Sequence, residues 1–316
     1  MSTSNNLGMI DKKYIIKSKL GEGAYSTVYK VQNIETNEEY AVKMIKLYCK
    51  NEIKINTKFS NIKSPYITKF IEFSQGSFKL SGHEDFNPYL LLELSDKGEL
   101  NDYINCGKNG FNERHCKLIF YEILKGVLAM HNINIYHRDI KAQNILLTSD
   151  KYNIKICDFG FSSDNSEMQN GIFGTREYMA PEVIMGKEYD GIKADIFSLG
   201  VLLFYLRTSR FLFDQAKTSN NNLLKTPYDY IKNKNNNIWK ISEVNNINEL
   251  SDDFKDLYLS MVAFDPNERP SISQILNHNW FKEIINLSEI QYMNIRSEIT
   301  EELRKRKKII LSQKKN

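Results

Sequence analysis

The sequence predicts an α+β fold in two parts, a small strand-rich lobe followed by a larger helical one. Two patterns point to it. Up to about residue 94, β-branched and aromatic runs are cut by Gly, Asn and Glu turns, as in strands. After Glu99 the apolar spacing lengthens to that of helices. The composition supports both parts: 316 residues, 41% hydrophobic, with 18 Tyr and 17 Phe, supply enough apolar surface for one large or two modest cores.

Residues 1–11 have the look of a loose leader. Strands are expected in YIIKSKL, STVYKVQNI and EYAVKMIKL, and a helix with one main apolar face in CKNEIKINTKFSNI. Two more strands, YITKFIEFS and PYLLLEL, are expected on either side of a long polar loop, QGSFKLSGHEDFN. Beyond a boundary near Ser95, ERHCKLIFYEILKGVLAMHNI has an amphipathic repeat, and DIFSLGVLLFYL is apolar nearly all round. SDDFKDLYLSMV opens with a Ser-Asp cap signal. The Asn-rich stretch 215–248 is expected to be loop with a short helix inside, and 284–316 a helix that frays into basic residues.

Several function classes drop out. A net charge of +4 is too mild to imply nucleic acid. The four cysteines lack metal-ligand spacing and suit free thiols in a reducing compartment. IFSLGVLLFYL is too short to span a bilayer, and MSTSNNLGMI has no signal-peptide pattern. A cytoplasmic or nuclear protein is expected.

The chemistry gathers in four stretches. In LGEGAYSTVYK, Gly21 and Gly23 separate two strands, and a glycine turn lets backbone N–H groups approach a phosphate closely. Lys43, ending EYAVK, follows by one strand and needs a carboxylate to fix it. Glu52 is the one acidic residue between Lys43 and Pro65, so it is chosen by elimination. In YHRDIKAQN, Asp139 can take the proton of an attacking hydroxyl, and Lys141 can reach a transferred phosphate. Asn144, with Asp158 of ICDFG, supplies the hard oxygen ligands that suit Mg²⁺. A charged cluster set against ILL gives that chemistry a rigid, partly dry base.

HRDIKAQN, DFG and GTREYMAPE resemble the catalytic loop, metal-binding loop and substrate-binding segment of the eukaryotic protein kinases. The resemblance runs from about Tyr14 to Phe281 and implies a bilobal protein kinase fold. On it, residues 12–283 form a kinase domain, with the N-lobe at 12–94 and the C-lobe at 95–283, followed by a basic tail at 284–316. It also implies an ATP- and Mg²⁺-dependent phosphotransferase acting on protein substrates. Lys141 and Thr175 resemble the serine/threonine branch, and RFLFDQA and IWKIS resemble calcium/calmodulin-type kinases.

The nucleotide residues implied by the resemblance are Leu20, Gly21, Gly23, Val28, Ala41, Lys43, Glu52 and Leu146, with Leu92 behind the adenine. Glu93 and Ser95 would offer backbone groups to the base, and Glu99 would contact ribose. For the apolar members, ordinary core packing is an equally valid reading, since the same atoms do both jobs. Asp195 would brace the catalytic loop, and Arg269 would pair with Glu182.

Departures from the pattern are equally informative. Ser26 stands for a third glycine. Asn56 stands where an apolar residue is usual, which either loosens the active arrangement or marks a shifted helix register. Gln143 weakens any case for strong arginine selection beside the phosphosite. Asn170 and Gly171 occupy the usual phosphoacceptor zone, leaving Ser162, Ser163 and Ser166 as candidates and predicting activity without phosphorylation there. Cys157 would line the nucleotide pocket or simply fill core, and His131 and His137 suit structural roles. The tail is expected to be a solvated helix end, with a nuclear-import patch and a calmodulin-type helix as alternatives. Two rival functions remain: a non-catalytic scaffold, opposed by the intact catalytic set, and a small-molecule kinase, opposed by GTREYMAPE.

Overall fold

Period-two alternation builds the first part of the chain, where inward apolar residues on antiparallel strands leave polar residues outside. The structure, a computed structural model, describes residues 8–23, 26–45, 50–60, 62–80, 83–106, 109–165, 167–218, 226–241 and 249–313. The chain divides into two units, residues 1–96 and 97–316.

In the first unit, β1 (Gly8–Ile10), β2 (Tyr14–Glu22), β3 (Ser26–Asn33), β4 (Glu39–Ile45), β5 (Phe70–Leu80) and β6 (His83–Glu93) form a closed barrel in the order β1-β2-β3-β4-β6-β5. Helix α1 (Lys50–Phe59) lies between β4 and β5 in sequence. The barrel core joins Ile10, Tyr14, Ile16, Val31, Val42, Phe78, Tyr89 and Leu91.

Two expectations are corrected here. The leader does not extend through residue 11: Gly8–Ile10 is the strand that closes the barrel, pairing with both β2 and β5. Ile10 is fully buried, and Asp11 accepts hydrogen bonds from the Ser77 amide and the Tyr89 hydroxyl, each at 2.7 Å. The long polar loop is instead the middle of a hairpin, with β5 and β6 paired in register from Phe73–Leu90 to Leu80–His83. Phe78 in that stretch is 1% exposed, while Phe86 is 79% exposed. Polar outward positions mask an alternating strand when only one face is covered.

In the second unit, β7 (Gly98–Glu99), β8 (Ile145–Thr148) and β9 (Asn153–Ile156) form a three-stranded sheet in the order β7-β8-β9. Around it lie α2 (Leu100–Asn105), α3 (Glu113–His131), α4 (Pro181–Ile184), α5 (Gly191–Thr208), α6 (Pro227–Lys232), α7 (Ile238–Ile241), α8 (Asp252–Met261), α9 (Ile272–Leu276), α10 (Lys282–Ile285) and α11 (Glu289–Gln313). Side-chain caps start the long helices. Asn112 accepts from the His115 amide, Asp190 from Ile192 and Lys193, and Ser251 from Phe254. Glu113 at the first turn of α3 accepts from the Ser251 hydroxyl (2.6 Å) and the Trp280 indole (2.8 Å), joining three elements. Helix α5 is buried along nearly its whole length, as its all-round apolarity requires. The Asn-rich stretch contains α6 and α7; residues 219–225 and 242–248 of it lie outside the described residues.

The tail is a second correction to the expected boundaries. Helix α11 is not a solvated end: Ile295, Arg296, Ile299, Leu303 and Ile310 are buried on one face against the second unit. Arginines at 296, 304 and 306 direct their guanidinium groups to backbone carbonyls, so the basic composition serves docking. Among the described residues no helix is long and apolar enough to cross a membrane.

Candidate active site

In the first unit the candidate residues sit on neighbouring strands. Antiparallel register sets Val28 opposite Lys43, and Ala41 opposite Leu92. Ala41 and Lys43 share one face because they are two residues apart. Lys43 Nζ donates to Glu52 Oε1 at short range, and both residues are buried. Asn56 is also buried, and its Nδ2 donates to the Glu52 carbonyl at 2.9 Å. The polar side chain thus satisfies itself within α1, one turn after the carboxylate.

Leu20, Gly21 and Gly23 are exposed on β2 and just after it, and the Gly23 amide donates to the Ser26 carbonyl at 2.9 Å. A Cβ on Gly21 or Gly23 would meet no atom within 4 Å, so packing inside the unit does not demand glycine at either position. Glu93 commits its N–H to the Lys69 carbonyl (3.0 Å), which confines any further role of its backbone to the carbonyl. Ser95 is partly buried.

In the second unit Lys141, Asn144 and Thr175 gather around Asp139, which is 3% exposed. Its carboxylate receives three donors. Thr175 Oγ1 donates to Oδ1 at 2.8 Å, Lys141 Nζ lies 2.8 Å from Oδ2, and Asn144 Nδ2 donates to Oδ2 at 3.2 Å. Lys141 also donates to Thr175 Oγ1 at 2.8 Å, closing a ring of contacts. Asn144 Nδ2 bonds the Asp139 carbonyl as well (2.8 Å), so the amide nitrogen is turned toward Asp139 and the side-chain oxygen away from it.

The backbone beneath this ring is held by buried polar groups. Asp195, fully buried, accepts from the amides of His137 and Arg138 (both 2.8 Å) and from His131 Nε2 (2.9 Å). Arg138 sits at φ 63°, and this double acceptance holds it in that left-handed conformation. His137 donates from Nε2 to the Cys157 carbonyl (3.0 Å) and accepts from the Asp139 amide on Nδ1 (3.3 Å), which defines its tautomer. The Cys157 amide donates to the Asn144 carbonyl (3.0 Å), placing exposed Asp158, at φ 63°, beside the catalytic loop. Leu146 and Glu99 face each other in the β7–β8 pair.

The segment between DFG and APE is tied down by backbone pairs and by Arg138. Tyr136 and Ser163 exchange backbone hydrogen bonds (2.9 Å each), as do Gln169 and Tyr189 (2.7 and 3.0 Å). Arg138 donates from Nε to the Phe161 carbonyl at 2.6 Å and lies 4.6 Å from the Phe173 ring centre. Ser162 is fully buried with its hydroxyl on the His137 carbonyl, which removes it from the candidate phosphoacceptors. Ser166 lies outside the described residues. Gly174 has φ 112°, and a Cβ there would stand 2.6 Å from the Arg138 carbonyl, so glycine brings Thr175 close to the loop.

Thr175 is the site residue that motif reading undervalued. GTREY marks it as a branch signature, yet only the fold shows its hydroxyl bridging Asp139 and Lys141. Farther away, Arg269 is 1% exposed and grips Glu182 bidentately at 2.6 and 2.8 Å. It also donates to the carbonyls of Ala263 and Lys193 and lies over the Phe197 ring.

Comparison with known proteins gives a consistent result. The protein kinase domain family matches residues 14–281. CBL-interacting serine/threonine-protein kinase 13 of Arabidopsis thaliana is 32% identical over 286 residues, 86% of this chain and 51% of that protein. The SNF-related serine/threonine-protein kinase of Homo sapiens is 28% identical over 306 residues, 92% of this chain and 37% of that protein. The probable cell cycle serine/threonine-protein kinase CDC5 homolog of Encephalitozoon cuniculi is 31% identical over 310 residues, 92% of this chain and 59% of that protein. The chain therefore spans between about a third and three-fifths of the length of these relatives. With the motif order, the ring of contacts around Asp139 and the family match over residues 14–281 in agreement, the chain belongs to the eukaryotic protein kinase family, in its serine/threonine branch.

Proposed function

We propose that this chain is an active serine/threonine protein kinase that transfers the γ-phosphoryl group of ATP to hydroxyls of protein substrates. The observation that carries this reading is the buried Asp139 carboxylate, held at once by Lys141, Thr175 and Asn144. Asp139 orients the substrate hydroxyl and takes its proton as the oxygen bonds to the γ-phosphorus and the β–γ bridging oxygen departs with ADP. Lys141 sits beside that carboxylate, where its charge stabilises the equatorial phosphoryl oxygens. Lys43, fixed by Glu52, neutralises the α- and β-phosphates.

The donor set suits Mg²⁺: a carboxylate at Asp158 and an amide oxygen at Asn144 are hard ligands, and substrate phosphates complete the shell. Bound there, Mg²⁺ neutralises charge on the β- and γ-phosphates. Leu20, Gly21, Gly23, Val28, Ala41, Leu92, Glu93, Ser95, Glu99 and Leu146 complete the nucleotide set. The open space at Gly21 and Gly23 favours phosphate approach over a packing role.

Activity is proposed not to depend on a phosphate at Arg138, because the Phe161 carbonyl and the Phe173 ring already engage its guanidinium. Phosphatase treatment should leave the rate unchanged.

The test is transfer of labelled γ-phosphate to generic basic proteins by wild type and Asp139→Asn. Phosphoserine or phosphothreonine is expected from the wild type, with a loss of about 10²–10⁴-fold in the variant. A wild type that neither transfers phosphate nor binds Mg²⁺-ATP overturns the reading in favour of a scaffold.

A further inference from the structure

Helix α11 begins beyond residue 281, where the family match ends, yet it reaches both margins of the β7-β8-β9 sheet. At one margin it grips the β8–β9 turn. Arg296 donates to the Tyr152 carbonyl, Thr300 to that of Lys151 (3.2 Å) and Arg304 to that of Asp150 (3.3 Å). The three donors are spaced four residues apart, so one helix face addresses three successive carbonyls in reverse order. At the other margin Lys307 Nζ donates to the Lys97 carbonyl at 2.9 Å. The Tyr103 hydroxyl shares that acceptor at 2.6 Å, and Lys307 lies over the Tyr103 ring. Arg306 donates to the carbonyls of Tyr103 (2.9 Å) and Gly110 (3.1 Å), with its guanidinium 4.1 Å from the Phe111 ring centre.

Lys97 is the residue through which this grip enters the sheet. Its amide donates to the Leu147 carbonyl at 3.0 Å, and its carbonyl is the one Lys307 holds. The next two residues form β7, pairing Gly98 with Leu147 and Glu99 with Leu146. The sheet is small, and β7 has only two residues, too few to hold its own register. Charge-assisted hydrogen bonds to carbonyls are the stronger kind, and the one from Lys307 falls beside the shortest strand, while those from Arg306 fix Tyr103 and Gly110 next to it.

We infer that α11 is a brace for the strands proposed to face the nucleotide, with Lys307 and Arg306 as positioning residues: Lys307 acts on the Lys97 carbonyl and Arg306 on Tyr103, whose hydroxyl shares that carbonyl, and together they hold Glu99 and Leu146 in place for the ribose and adenine of ATP. The inference rests on the kinase reading above, which assigns Glu99 and Leu146 to the nucleotide. Neither basic residue touches substrate; both set the position of residues that do.

The test uses the full chain with Lys307→Ala, Arg306→Ala/Lys307→Ala and the conservative Lys307→Arg, each compared with wild type. The KM for ATP is expected to rise about fivefold or more in the double variant, with kcat within about twofold, and to return with Lys307→Arg. A merely structural role would instead lower the unfolding midpoint and leave KM for ATP unchanged in the folded fraction. Hydrogen exchange gives a readout independent of activity. The amides of Lys97, Leu146 and Leu147 should lose protection in the double variant while α5 amides keep theirs. Unchanged KM together with unchanged exchange at those three amides overturns the brace. An inactive wild type removes the kinase reading, and the exchange result then decides the brace alone.

Discussion

A buried ion pair in the first unit and one in the second are of opposite construction. In the first unit Lys43 presents a single ammonium to one oxygen of Glu52, and the two side chains keep 11% and 7% of their surface exposed. In the second unit Arg269 meets both oxygens of Glu182, its side chain is fully enclosed, and backbone carbonyls and the Phe197 ring take up the rest of the guanidinium. The lesson lies in the residue types. A planar, five-donor guanidinium can be satisfied wholly by protein, which suits a permanent lock. An ammonium on a flexible stem is a point charge without that fixed fork, which suits the working role proposed for Lys43.

The largest expected effect tests the lock. Arg269→Ala leaves a buried carboxylate without a partner and should cost about 3–5 kcal/mol of stability, read as a lower denaturant midpoint. Replacing both members, as in Arg269→Met/Glu182→Leu, should recover much of that loss, because the buried charge disappears from both sides. The working pair should behave differently. Lys43→Met also leaves a buried carboxylate, Glu52, unpaired, so its midpoint should fall too, but replacing Glu52 as well should recover only the midpoint, with phosphotransfer staying about 10²–10³-fold down. If Lys43→Met unfolds the chain while Arg269→Ala does not, the contrast between lock and working cation is wrong.

A smaller effect is expected one layer out from the catalytic carboxylate. Thr175→Val removes the hydroxyl that bridges Asp139 and Lys141, and kcat should fall about tenfold, whereas Thr175→Ser should stay near wild type. Equal losses in both variants would mean that the methyl group, and not the hydroxyl, is what matters.

The smallest effects are pH shifts at the α3–α11 contact, where two glutamates should move in opposite directions. Burial alone would raise the Glu302 carboxyl, but hydrogen bonds from His115 and Arg306 outweigh it and hold it below the ordinary 4.5. Ionised Glu302 therefore stabilises the folded chain above about pH 4.5, and the gain is lost as pH falls through the lower folded value. Glu122 is the reverse. Burial raises its carboxyl despite Arg296 and the Tyr292 hydroxyl, so its contribution is largest in acid and declines as pH rises through the folded value. Melting profiles of Glu302→Gln and Glu122→Gln against pH should diverge from wild type with opposite slopes.

The core of the candidate site was legible because its chemistry is local. HRDIKAQN holds a carboxylate, an ammonium and an amide within six residues, and the fold brings these three side chains together. Glu52 was reachable only by elimination, as the sole carboxylate in its interval, and the fold places it against Lys43. What escaped were contacts between distant segments. Thr175 meets Asp139 across 36 residues, and Gly8–Ile10 meets β5 across about seventy. The polar hairpin was missed because alternation with small or charged outward residues resembles a loop even where Phe78 turns inward.

The sequence by itself determined the division into strand-rich and helical parts, the order of the motifs and the family to which they belong. Those depend on spacing and side-chain chemistry that neighbours along the chain already define. Only the tertiary structure decided that the leader closes a barrel, that Arg138 rests on the Phe161 carbonyl and Phe173 ring, and that the basic tail docks on its own sheet. A run such as LRKRKK specifies charge and helix but not its acceptors. Its acceptors are backbone carbonyls, which every residue carries and no sequence pattern distinguishes until the fold exposes a particular few.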